Sequence, residues 1–131
     1  MEEKDRYFCR LSGIILALGA VLLGAFGAHA LKDILIAKNS MLVWETGVRY
    51  QMWHALALLI SSLFSERQPL SKTAGRCLIT GTLLFSGSLY ALAIGAPPRW
   101  LGPITPIGGL FLIAGWMLLL FSTYKNYRNN T

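Results

Sequence analysis

The chain has 131 residues, 54% of them hydrophobic and only 14% charged, with 12 Lys and Arg against 6 Asp and Glu. Ordinary soluble domains carry about 25% charged residues, and a soluble chain of this size leaves about 30% of its unfolded surface in water. These proportions weigh against a soluble enzyme, a disordered tail or a nucleic-acid binder, and predict one integral-membrane domain over residues 1–131.

Charged residues leave four long gaps, at Leu11–Leu31, Tyr50–Ser65, Cys77–Pro98 and Trp100–Tyr124. A hydrocarbon core about 30 Å thick takes about 20 helical residues at 1.5 Å each, and in lipid the backbone must satisfy its own hydrogen bonds. The first gap predicts a spanning helix at 11–31. Basic residues precede it, and Ala28-His29-Ala30 has the small-x-small form of a cleavage site, so a secretory signal is the competing reading. The apolar stretch is longer than the 7–15 residues of an ordinary signal core, which favours a retained span.

The second gap is short, but Asn39 and Ser40 are candidate N-caps followed by apolar Met41, Leu42, Val43 and Trp44. A helix from about Ser40 to Phe64, with its span over 44–65, sets Glu45 and Arg49 four residues apart near the interface, where they can pair. The alternative is an amphipathic helix lying on the membrane. Pro69 breaks the following loop, Ser71 is a candidate cap for a third span at 77–98, and Ala96-Pro97-Pro98-Arg99 makes a short, stiff turn into a fourth at 100–124. Pro103, Pro106, Gly108 and Gly109 loosen the start of that last helix.

Charge placement chooses between four spans and three. With four, Lys4, Arg6, Arg10, Arg67, Lys72, Arg76, Lys125 and Arg128 share one side, and Lys32, Lys38, Arg49 and Arg99 the other. Cytoplasmic segments carry the excess of Lys and Arg, so both termini are predicted inside; three spans would reverse the balance. The reading is an all-α, polytopic transmembrane four-helix bundle. Trp44, Trp53 and Trp100 are expected as outer interface anchors, with Tyr7, Trp116, Tyr124 and Tyr127 toward the inner boundary.

Small residues at four-residue spacing, Ala20, Gly24 and Ala28 in the first helix and Gly87, Ala91 and Gly95 in the third, predict close helix contacts. The polar residues of interest are His29, Glu45, Arg49, Tyr50, Gln51 and His54. Both histidines fall in the outer half of the membrane, on helices that run in opposite directions, so the two side chains are expected to approach. Ionisable groups in spans are costly and mark ligand or ion pathways or internal hydrogen-bond networks. Three readings follow: a structural network between the first two helices, a shallow ligand or headgroup pocket, or a metal site. The last is weakest, because two histidines and a glutamate fall short of a closed ligand set.

Ser86, Ser88 and Tyr90 bring hydroxyls to the middle of the third helix. That is weak evidence of a path, because serine bonds back to its own helix, and neither paired midplane charges nor symmetric helix breaks accompany it. Cys9 and Cys77 both fall at the reducing cytoplasmic boundary and are expected as free thiols. No nucleophile elbow, phosphate loop or acid–base carboxylate pair is present, so no catalytic residue, cofactor or metal is assigned. Orientation and anionic lipid account for the basic excess without nucleic acid.

Four blocks carry a family resemblance: Leu18-Gly19-Ala20 with Leu23-Gly24-Ala25-Phe26-Gly27-Ala28-His29; Trp44 through Ala57; Phe85-Ser86-Gly87-Ser88-Leu89-Tyr90; and Thr105-Pro106-Ile107-Gly108-Gly109 with Ala114-Gly115-Trp116. In order and content the chain resembles the YgdD/YwdK-like small membrane proteins, multi-pass proteins of the bacterial inner membrane with eukaryotic relatives. The resemblance implies signature positions at His29, Tyr50, Gln51 and His54, and carries over no activity or cofactor. The expectation is a non-enzymatic protein that binds lipid, a small ligand or a protein partner. The alternative is a small transporter or channel component working as a homo-oligomer.

Overall fold

A computed structural model describes residues 3–63 and 72–129. Those residues form helices and turns only: α1 (Glu3–Ala28), α2 (Lys32–Ala37), α3 (Met41–Leu63), α4 (Lys72–Ala93), α5 (Pro98–Leu101) and α6 (Ile104–Asn129). Three segments are long and apolar enough to cross a membrane: α1, α4, and the run Pro98–Asn129 that contains α5 and α6. With 23 residues, α3 is about 34 Å long and can reach across, but Glu45, Arg49, Gln51 and His54 lower its apolarity.

The helix ends differ from the charge-free gaps. Helix α1 begins among Lys4, Arg6 and Arg10, and α4 takes in Lys72 and Arg76 but stops at Ala93. Charged residues bound the apolar stretch without ending the helix, because their long stems follow its surface while the head groups reach water. Pro69 and Ser71 lie outside the described residues.

The long helices pack in series, α1 on α3, α3 on α4 and α4 on α6, whereas α1 and α6 share no extensive interface. The expected bundle is therefore an open row with α3 and α4 at its centre. The chain returns through α2 to lay α3 along α1, and through α5 to lay α6 along α4, so each of these pairs runs antiparallel. Where α1 meets α3, a Cβ at Gly13 would lie 3.0 Å from the Ala55 carbonyl, and Gly27 sits under the Trp44 indole. Where α4 meets α6, Leu112 packs into Gly81, Leu78 into Gly115, and Gly108 lies against the Phe85 backbone.

The predicted small-residue stripes hold only in part. Ala20 is buried and Gly24 faces Val48, but Ala28 is exposed and a Cβ at Gly87 would meet nothing within 4 Å. The contact face of α4 instead passes through Leu78, Gly81 and Phe85. The opposite faces of the flanking helices are apolar and bare: Ile14, Ile15, Leu18 and Val21 on α1, Leu110, Ile113, Leu120 and Phe121 on α6. Such a surface is stable in lipid and not in water.

One end of the row is sealed by α2. Its Leu35 is fully buried with Trp44 and Ala93. Asn39 turns the chain with a left-handed φ of 51°, which Asn tolerates well, and delivers Ser40 to the start of α3. The Ser40 hydroxyl does not cap α3 through its side chain; it donates to the Ala93 carbonyl at 2.7 Å and so closes the C-terminal end of α4. Trp44 is not an interface anchor either: it is buried, and its indole N–H donates to Leu23 O at 2.9 Å. At the other end a 3.1 Å ion pair joins Asp5 of α1 to Lys72 of α4. Cys9 and Cys77 are free.

Candidate functional site

The six predicted polar residues occupy three places. His29 sits in the exposed turn after α1. Glu45 and Arg49 lie on the outward face of α3, paired as expected at 3.9 Å, with both side chains more than half exposed. They edge a cleft of about 330 Å³ between α1 and α3, whose apolar walls include Met41, Trp44 and Val48. Tyr50, Gln51 and His54 lie deeper, in the middle of α3.

The two histidines do not meet. Gly27 of α1 is level with Trp44 of α3, and Gly13 with Ala55 and Leu59, so His29 stands beside the start of α3. His54 lies ten residues beyond Trp44, about 15 Å further along the helix axis. Distance from the nearest charge underestimated its depth, because Arg49 is itself inside the helix.

Gln51 connects three helices. Its Nε2 donates to the Leu16 carbonyl of α1 at 2.9 Å, and its Oε1 accepts the Tyr90 hydroxyl of α4 at 2.9 Å. One turn away, the Ser86 hydroxyl donates to the Gly47 carbonyl at 2.8 Å. Ser88 shares a 2.7 Å hydrogen bond with Thr105 and also donates to Phe85 O. The hydroxyls that suggested a path are thus engaged in holding helices, mostly across interfaces.

His54 faces the other way, toward α6. The Trp116 indole N–H lies 3.1 Å from Nε2, and Nδ1 lies 2.7 Å from the Tyr50 carbonyl. Because an indole nitrogen only donates, Nε2 must accept, and the proton sits on Nδ1, where it is donated to Tyr50. Both ring nitrogens of a neutral imidazole are in use. Among the described residues, no group of three or more His, Cys, Asp or Glu could hold a metal, and no buried side-chain N or O lacks a partner.

Beside this histidine, α3 and α6 diverge over Phe85 of α4 to leave a groove of about 430 Å³. Tyr50, Trp53, His54 and Trp116 supply its aromatic walls, with Leu112 and Ile113 completing them. Tyr50 lies against the Phe85 ring at 4.6 Å between centroids. Trp53, Ile113 and Trp116 are each about half exposed or more, so the groove opens sideways, away from the row. The arrangement offers apolar and aromatic surface with its polar atoms already paired. It can hold a molecule by shape and dispersion, and it presents no aligned nucleophile and base.

Trp116 and Tyr90 are the functional neighbours that sequence reasoning placed elsewhere. Trp116 was expected at the inner interface, and Tyr90 among path-lining hydroxyls; each instead meets a polar residue of α3. A Trp and a Tyr facing a polar residue on another span are the available signal, since both seek a partner when buried.

Residues 23–109 match the family described as Protein of unknown function (DUF423), an interval that holds all six predicted polar residues. The UPF0382 membrane protein of Staphylococcus haemolyticus is 47% identical over 114 residues, 86% of this chain and 92% of its own. YwdK of Bacillus subtilis, also a UPF0382 membrane protein, is 42% identical over 118 residues, 86% of this chain and 93% of its own. A UPF0382 membrane protein of Schizosaccharomyces pombe is 39% identical over 105 residues, 77% of this chain and 88% of its own. No solved structure matches.

Proposed function

The chain belongs to the DUF423 family of membrane proteins, and from its geometry we propose a non-enzymatic lipid-binding protein of the bacterial inner membrane. It crosses four times with both termini cytoplasmic, and it holds an apolar chain in the aromatic groove between α3 and α6. The observation that carries this reading is the groove itself, about 430 Å³ of mainly aromatic and aliphatic wall that opens toward the lipid-facing side. Binding pockets for apolar molecules have this volume and lining. Pairing of both His54 nitrogens supports a fixed wall over an acid–base centre. The fourth crossing is α3, whose polar residues are covered by α1, α4 and α6 or, for Glu45 and Arg49, paired with each other.

The test is mass spectrometry of the full chain released from native membrane discs. Wild type should carry a lipid or comparable apolar molecule, and Trp116→Ala, if stably folded, should lose it. Wild-type protein that emerges empty, or a folded Trp116→Ala that keeps full occupancy, would overturn the assignment. Trp116→Phe keeps the ring and removes the N–H; it should retain the molecule if the wall matters more than the hydrogen bond.

A further inference from the structure

At the opposite end of the row from α2, α1 and α4 touch only lightly, and a second cleft of about 350 Å³ opens between them. Asp5 and Phe8 line it from α1, and Arg76, Ile79 and Thr80 from α4. The Asp5–Lys72 ion pair ties the two helices together at this end. Lys72, Arg76 and Thr80 follow at four-residue spacing along one face of α4. Asp5 therefore neutralises Lys72, while the exposed Arg76 pairs with no carboxylate among the described residues.

The surface beyond Arg76 continues as an apolar trough. Exposed Leu83 and Gly87 extend the same face of α4, and exposed Phe8 and Ile15 run beside it on α1. No side chain fills the space over Gly87. A guanidinium with no carboxylate partner among the described residues, near a helix end and above apolar surface along the helix axis, has the two-part chemistry of a phospholipid. The cation suits a phosphate and the trough suits an acyl chain.

We propose that the α1–α4 cleft seats one anionic phospholipid, its phosphate on Arg76 and the Thr80 hydroxyl beside it. Charge complementarity selects the occupant: Lys4, Arg6, Arg10, Lys72, Arg76, Lys125 and Arg128 gather at this end against Glu3 and Asp5 among the described residues. This site is separate from the α3–α6 groove, with different lining residues on a different pair of helices, so either can fail alone.

The experiment is titration of the purified full chain, in neutral detergent with phosphatidylcholine, by phosphatidylglycerol, read by native mass spectrometry and by the melting midpoint. Wild type should retain one phosphatidylglycerol and gain thermal stability. Arg76→Gln should bind it about fivefold more weakly, the scale expected of one basic residue at an anionic lipid. Arg99→Gln, at the other end of the row, should bind as wild type does. If Arg76→Gln does not fold, Thr80→Trp keeps every charge and plugs the cleft, and should lose the lipid. Undiminished binding by the substituted cleft, an equal loss in Arg99→Gln, or the same thermal gain from phosphatidylcholine or inorganic phosphate alone would overturn the proposal.

Discussion

Gln51 and His54 are three residues apart on α3, yet they serve different interfaces, because a three-residue step leaves two side chains about 60° apart around the helix. Gln51 points between α1 and α4, and His54 toward α6. The Tyr90–Gln51 hydrogen bond offers a measurable case of polar bonding across spans. Such bonds average about 0.6 kcal/mol and reach about 1.7 kcal/mol in double-mutant cycles. Gln51→Leu should therefore destabilise the protein and leave the half-buried Tyr90 hydroxyl without its acceptor. Tyr90→Phe alone should have a smaller effect, because Gln51 keeps its bond to Leu16. Unfolding in bicelles should show a coupling of about 0.6 kcal/mol or more between the two substitutions; strict additivity would mean the bond contributes nothing. The importance of Gln51 and His54 was legible in the sequence because polar residues inside a span demand a reason. Their partners were not, since Leu16 contributes only a backbone carbonyl and Trp116 looked like an interface residue.

At the scale of elements, the pairing of α4 with α6 is an exchange of large and small residues: Leu112 into Gly81, Leu78 into Gly115, and Phe85 over Gly108. A Cβ at Gly108 would lie 2.5 Å from the Phe85 backbone nitrogen, which no side-chain rotation can relieve. Gly108→Ala should thus push the helices apart and cost about 1–3 kcal/mol, the usual range for overpacking. Gly87→Ala, facing open space inside α4, should leave stability unchanged or raise it by up to about 1 kcal/mol. Melting midpoints in one detergent compare the two directly, and equal effects would refute this packing. The all-helical fold was readable from the charge gaps, but the rotation of the helices was not. Small residues lie on both the contact face and the open face of α4, so their four-residue spacing does not tell one from the other. That is why Gly87, Ala91 and Gly95 look like a packing stripe while the contact runs through Leu78, Gly81 and Phe85. Glu45 and Arg49 were easier, because an i,i+4 pair depends only on helical spacing.

For the whole molecule, orientation rests on where the basic residues lie and on whether α3 crosses. Alone, α3 is the least apolar of the long helices, and it falls outside the segments that qualify by composition. Within the row it is also the element that both α1 and α4 pack against, and Gln51, His54, Ala55, Leu58 and Ser62 are all buried. A helix lying on the membrane surface could not offer Gln51 to α1, Gly47 to Ser86 and His54 to Trp116 while α1, α4 and α6 remain in lipid. That packing supports the proposed fourth crossing, by replacing the solvation that the polar atoms of α3 would otherwise lose. Fusions test the consequence. A reporter after Asn129 should read cytoplasmic, and one placed in the turn at Gly95 should read periplasmic. If α3 lies on the surface, the N-terminus stays inside and both readings reverse. Moving charge should act in the same sense: reversing the balance by placing lysines in the turns at Gly95 and His29, and removing Lys72 and Arg76, should yield a mixed population of orientations. An unchanged single orientation would show that packing of the row, rather than its basic end, sets the direction of insertion.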